Sequence, residues 1–267
     1  MESYETLIFE EKDGVAWIRL HRPEEMNAVN LLMARELCRA TAYCTGKNSI
    51  RAVVLTGAGK VFSVGGDVKD MVREVKSTDR PDLFLRDLAM HVHGFVAELY
   101  RMPKPVVAAV NGIAAGVGFS MSMACDLALA SDKARFVLAY TNIGLVPDGG
   151  CTYSLTRLVG PRKALEITYF NEPIGAEEAL GLGLVNRVIP AYRFEEEVAA
   201  VAQKLVEGPT ETYGRAKALV HAAISGTLES QLEAERQGNA ISGLRPEFRE
   251  GLVAFVEKRK ADYRSHS

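Results

Sequence analysis

Two glycine-rich stretches set the tightest limit on how this chain can fold. Phe62-Ser63-Val64-Gly65-Gly66-Asp67 follows an apolar, β-type run at 52–56, and Asn111-Gly112-Ile113-Ala114-Ala115-Gly116-Val117-Gly118 follows a second run at 106–110. Each then leads into a helix-type pattern. A strand that turns through glycines into a helix leaves backbone N–H groups unpaired at the positive end of the helix dipole. Two such N-termini converging on one point would hold an anion, and in acyl chemistry that anion is the oxygen of an enolate or a tetrahedral adduct. A glycine turn after a strand also occurs wherever packing needs positive φ, so either stretch alone carries both readings. The pair is more specific, because the flanking residues are particular too. Asp67 directly precedes Val68-Lys69-Asp70-Met71, where it can cap a helix, with Asp70 in capping-box spacing. A dinucleotide or nucleotide-phosphate loop fails on residue order, since neither G-x-G-x-x-G nor G-x-x-x-x-G-K-[ST] occurs.

The 267 residues suffice for one sizeable core, or for a main domain with a smaller appendage. With 48% hydrophobic and 25% charged residues the composition is that of an ordinary globular protein. A net charge of −2 argues against a nucleic-acid or polybasic membrane surface, which needs an excess of Lys and Arg. Cys38, Cys44, Cys125 and Cys151 show no C-x-x-C pair and no metal-ligand spacing, and read as small buried residues in a reducing compartment. The first residues lack the basic and apolar regions of a signal peptide, and no uncharged apolar run reaches spanning length. A cytoplasmic protein is expected.

Asp13-Gly14 between apolar alternations at 7–11 and 15–20 predicts a hairpin. Asn30 predicts the cap of a helix to about residue 43, with Met33, Leu37, Ala40 and Cys44 on one face. Polar residues 75–83 read as a loose loop near a site entrance, followed by a helix over 84–101 that Pro103 and Pro105 stop. A short helix to Ala124 and a strand at 127–130 repeat the strand–turn–helix scheme, which points to a coiled stack of short parallel strands. Val146-Pro147-Asp148-Gly149-Gly150 is a third turn opening onto a helix near 151–158. From Pro161 the pattern is mainly helical apart from a strand-like 184–189, with amphipathic segments at 194–206, 210–224, 228–241 and 247–260. The terminal helices carry too little apolar surface for a core of their own and are expected to pack on the main body or on another subunit.

These landmarks together resemble the crotonase (enoyl-CoA hydratase/isomerase) superfamily over nearly the whole chain. The match runs through Arg22-Pro23 with Asn27-Ala28, the two glycine stretches, Pro103-Lys104-Pro105, Cys125-Asp126, Gly144-Leu145-Val146-Pro147, Gly183-Leu184-Val185 and Phe255-Val256-Glu257-Lys258. The resemblance implies an α/β fold with a β-β-α spiral core over 1–195 and a helical C-terminal region over 196–267 that joins a trimer or hexamer. It implies a coenzyme A thioester as substrate and no separate cofactor or metal. Carried over, the oxyanion hole falls on the N–H groups of Gly66 and Val117, the second position being more often Gly or Ala. Ser63, Val64, Gly65, Asp67 and Val68 would line the coenzyme pocket with Gly116 and Tyr140, while Arg22 and Lys69 would lie near its phosphates. Phe255 and Lys258 resemble a pair that reaches a neighbouring subunit's ligand, although helix packing and a solvated charge explain them equally.

Hydratases of this family use two glutamates, and those positions fall here on Ser120 and Tyr140, neither of which is a carboxylate. Hydration of a 2-enoyl thioester is therefore the weaker expectation. Asp148, on a turn before a helix, can be a plain N-cap or Asx turn. The resemblance favours another role, because acyl-CoA isomerases of the family carry their single acid at this Pro-Asp/Glu position. Asp148 is then the one base that moves a double bond, and the only carboxylate expected near the reacting carbons. The rival is a branch that dehalogenates 4-chlorobenzoyl-CoA, with Asp148 as nucleophile, His93 as a catalytic histidine and Tyr140 at an aromatic position. A packing or surface histidine is the commoner outcome for His93, beside His91 on a helix. A non-catalytic acyl-CoA binder is the third reading.

Overall fold

The structure is a computed structural model and describes residues 3–265. Strands β1 (Leu7–Lys12) and β2 (Val15–Leu20) form the expected hairpin. Asp13 and Gly14 both take positive φ, 53° and 88°, the turn geometry that matches strand twist. Helix α1 (Leu31–Gly46) starts where Asn30 accepts the Met33 N–H at 2.9 Å, and it buries Met33, Leu37, Ala40 and Cys44. β3 (Ala52–Gly57), α2 (Val68–Ser77), α3 (Pro81–Arg101) and β4 (Val106–Val110) follow. Then come β5 (Ile113–Ala115), α4 (Val117–Ala124), β6 (Leu127–Ser131), β7 (Arg135–Val137) and α5 (Cys151–Phe170). β8 (Ile174–Gly175), α6 (Ala176–Gly181), β9 (Arg187–Ile189), α7 (Phe194–Val206), α8 (Thr210–Ala223), α9 (Leu228–Gly243) and α10 (Pro246–Glu257) complete the chain.

The main sheet runs β1-β2-β3-β4-β6-β9, parallel from β2 onward, and β5-β7-β8 form a second, smaller sheet. Both faces of the main sheet are covered, so its central strands are apolar throughout rather than alternating. Val53 and Leu55 of β3 point into the larger core with α1 and α3, whereas Ala52 and Val54 point to the other side. There α7 lays Phe194, Val198, Ala202 and Val206 against the sheet. Further on, α9 has no buried residue, and Leu244, Phe248, Phe255 and Val256 are exposed. None of the described helices is long and apolar enough to cross a membrane.

One expectation changes. Residues 75–83 are not a loose loop: α2 runs to Ser77 and α3 begins at Pro81, leaving only 78–80 between them. Pro81 explains this, because at the first helical position its missing N–H costs nothing and its φ is preset for a helix. The helix that opens at Cys151 breaks at Gly160 (φ 77°, ψ 162°), and helical structure resumes at Pro161 and runs to Phe170, as the sequence suggested.

Candidate active site

The two glycine stretches are stitched together by main-chain bonds. Ser63 N–H donates to Ile113 O at 3.0 Å, and Ala115 N–H donates to Ser63 O at 2.8 Å. Gly65 has φ 97°, and a Cβ there would lie 2.9 Å from Ala115 O, so only glycine permits this approach. On its other side the first stretch bonds to Val29, which donates to Gly65 O at 2.7 Å and accepts from Asp67 N–H at 3.0 Å. A parallel bridge of this kind uses the neighbours of Gly66 and leaves its own N–H turned away. Val117 is the first residue of α4, where an N–H has no partner within the helix. Neither amide donates to any described residue, and both residues line one cavity of about 570 Å³.

Asp148 lines the same cavity. Its carboxylate caps nothing, because the N-cap of α5 is Gly150 and receives no side-chain bond. Instead, Tyr140 Oη donates to Asp148 Oδ1 at 2.6 Å. Ser120 Oγ donates to the Asp148 carbonyl at 2.9 Å and lies 3.0 Å from Tyr140 Oη. Ser120 and Tyr140 thus hold Asp148 by its carbonyl and by its carboxylate. Gly149 follows at φ 59°, and a Cβ there would sit 3.1 Å from Ser120 Cβ, so the turn closes tightly against α4. Ahead of Tyr140, Ala139 is held at φ 66° with its N–H on Asn171 Oδ1 at 2.7 Å. Such a φ is unusual for alanine, and Asn171 is a positioning residue that the sequence did not single out.

Burial first, and then the charge of Asp148 and the hydrogen bond to it, push the Tyr140 phenol well above its ordinary value near 10. Tyr140 therefore acts as a donor and not as a base. Its contribution to stability is complete below about pH 10 and falls as pH rises further, because only the unfolded chain then ionises. Denaturant unfolding between about pH 9 and 11 should show this loss, reduced in Tyr140→Phe. An equal loss in that variant would assign it to other groups, such as Tyr100, whose phenol burial pushes up to about 12.

Most of the remaining cavity wall is apolar, with Val29, Val64, Leu88 and Val92 among its residues, and Asp82, Arg86 and Asn142 are its charged and polar members. A smaller cavity of about 320 Å³ between α2 and α3 shares Val68, Met71, Leu85, Ile143 and Leu145 with it. Asp148 is not the only carboxylate present: Asp82 lines the cavity too. Asp82 is half-exposed and bound by Arg80 at 2.8 and 2.9 Å, which holds its carboxyl below the usual range.

The other sequence-selected residues divide clearly. Val64, Gly66, Val68, Gly116, Val117, Tyr140 and Asp148 line the cavity. Ser63, Asp67 and Arg22 have internal duties instead. Ser63 Oγ donates to Asn27 O at 2.8 Å, Asp67 caps α2 through Lys69 N–H at 3.0 Å, and Arg22 pairs with Asp67 at 2.9 Å. Asp70 turns to Arg73 at 2.9 Å rather than back to the cap. Lys69, Phe255 and Lys258 are exposed, outside the cavity wall. His93 is also exposed, although Leu88, Ala89 and Val92 of the same helix face the cavity. Among the described residues no three His, Cys, Asp or Glu side chains group as metal ligands.

The parallel sheet with its surrounding helices forms the crotonase fold, and the amides of Gly66 and Val117 share one largely apolar cavity with the carboxylates of Asp148 and Asp82. The enoyl-CoA hydratase/isomerase family model matches residues 10–266, and the chain belongs to that family. It is 40% identical to "Probable enoyl-CoA hydratase" of Rhodobacter capsulatus, covering 96% of this chain and 97% of that one. It is 38% identical to 4-chlorobenzoyl coenzyme A dehalogenase-2 of an Arthrobacter species (93% and 90% covered). With 1,2-epoxyphenylacetyl-CoA isomerase of Escherichia coli it shares 34% identity (94% and 95% covered). The crystal structure of enoyl-CoA hydratase from Bacillus anthracis superposes with a TM-score of 0.91 at 30% identity, covering 97% of this chain and 99% of that one.

Proposed function

We propose that this chain is an enoyl-CoA isomerase with Asp148 as its base. The carrying observation is that the free amides of Gly66 and Val117 and the carboxylate of Asp148 line one cavity, while Ser120 and Tyr140 supply no second acid. A thioester oxygen accepting both N–H groups makes the adjacent C–H acidic, because the negative charge of the enolate falls on that oxygen. Asp148 takes the proton from C2 of a 3-enoyl thioester, the C3=C4 pair moves to C2=C3, and the protonated Asp148 returns the proton to C4. No water is consumed and no electron leaves, so the reaction as written needs no cofactor beyond the coenzyme A of the substrate. The exposed apolar residues of α9 and α10 support assembly with further copies of the chain, as a trimer or hexamer.

The test is a substrate panel. A 3-enoyl-CoA should convert to its conjugated isomer, with crotonyl-CoA hydrated very slowly. Chloride release from 4-chlorobenzoyl-CoA would move the assignment to a dehalogenase with Asp148 as nucleophile, a reading that the exposed position of His93 disfavours. Binding of these thioesters without turnover of any would make the chain a non-catalytic binder.

A further inference from the structure

A second cavity, of about 520 Å³, lies between the C-terminal end of α3, the segments leading into β3 and β4, and α8. It shares no lining residue with the candidate active site. Along α3, Val92 faces the first cavity and Arg101 the second, roughly 14 Å further by helical rise. Arg101, Lys104, Arg215 and Arg245 line it beside Arg51, which donates to the Val206 and Gly208 carbonyls, while Glu211 pairs with both Arg215 and Arg245 at 3.4 Å. The nearby Glu247 is buried and already accepts the N–H groups of Glu211 and Thr212 at 3.0 Å each.

Two polar atoms on this wall are orphaned. Thr210 is 7% exposed, and its buried Oγ1 has no partner among the described residues. Arg215 donates from Nε to Ser242 and from Nη1 to Glu211, but its buried Nη2 has no partner among them either. A buried guanidinium nitrogen left unpaired is costly, and such an atom implies something the protein chain does not supply. Lys104 agrees with this. Its ammonium reaches only carbonyls, of Cys44 and Lys47, and burial holds it below the ordinary lysine range, a condition that an anion would relieve. Water can satisfy a hydroxyl, but it brings no negative charge to Arg101 and Lys104, neither of which has an ion pair among the described residues.

We propose that this cavity is a binding site for a small phosphate-bearing anion, gripped by Arg215 and Arg101 with the Thr210 hydroxyl as an additional donor. Planar guanidinium groups match phosphate oxygens in pairs, and a cluster of them excludes cations and most neutral ligands.

Calorimetric titration of pyrophosphate into the full-length protein, with ionic strength held by potassium chloride, tests this. One saturable site is expected. Arg101→Gln should weaken it about tenfold, the loss expected when a charged hydrogen bond is removed. Arg101 is exposed, so the melting temperature without pyrophosphate should not change, and Thr210→Val supplies a second, near-isosteric variant. Repeating the titration with an acyl-CoA bound distinguishes the sources of the phosphate. Competition assigns it to the thioester's own coenzyme, and additive binding to a separate metabolite. Absence of saturable binding, or an affinity in both variants unchanged from the parent, overturns the proposal.

Discussion

Asp148→Asn should keep the fold and thioester binding and lower isomerisation by about a hundredfold to ten-thousandfold, the loss expected when a general base is removed. The amide matches the carboxylate in shape and can still accept the Tyr140 hydroxyl, so the turn between Tyr140 and α5 stays closed. What disappears is the ability to take a proton. The Asp148 carbonyl, which Ser120 and the Cys151 N–H hold at 2.9 and 3.1 Å, is untouched. Asp82→Asn is the control. Asp82 lies on the same cavity but is committed to Arg80, so its loss should leave the rate within a small factor of the parent. Steady-state rates with a 3-enoyl-CoA, together with thioester affinity, check both variants. A comparable loss in Asp82→Asn would place the base at the wrong carboxylate.

Val117→Pro should lower the rate by about a hundredfold to a thousandfold, the range for removal of one oxyanion donor. The helix tolerates this substitution because Val117 is the first residue of α4, the helical position where proline fits best. The residue before it is Gly116, which has no Cβ to meet the proline ring. The ring Cδ then stands where the N–H pointed, so the variant removes both the donor and part of the room for the thioester oxygen. Val117→Ala removes side-chain bulk from the cavity wall and keeps the donor, so it should retain most of the activity. If the alanine variant loses as much as the proline variant, side-chain packing rather than the amide carries the effect.

The residues that build the site were legible where a local rule governs them. Asn30 and Asp67 cap helices as their types and positions predict, and Asp13-Gly14 makes the expected turn. The glycine stretches announced free amides because a glycine turn into a helix leaves the first N–H groups unpaired. Strands β5 and β7, three residues each, escaped notice because so short a run has no periodicity, yet β5 joins the two glycine loops. Longer-range pairings were equally hidden. The resemblance puts Arg22 near the coenzyme's phosphates, and nothing in the sequence shows its ion pair with Asp67, far along the chain. Nothing near Tyr140 shows that Asn171 fixes the backbone turn aiming its hydroxyl at Asp148. The cationic cavity joins Arg51 to Arg215 of α8 and to Arg245 at the start of α10, residues far apart in the chain that only tertiary packing brings together.

A crystal structure with a non-isomerising 3-enoyl-CoA analogue would test the central claim most directly. The thioester oxygen should accept hydrogen bonds from Gly66 N and Val117 N, each at about 3 Å, as an oxyanion hole requires. One Asp148 carboxylate oxygen should then lie on a single face of the acyl chain, within reach of both C2 and C4. A thioester oxygen bound away from either amide, or an acyl chain whose C2 and C4 face Asp82 instead of Asp148, would contradict it.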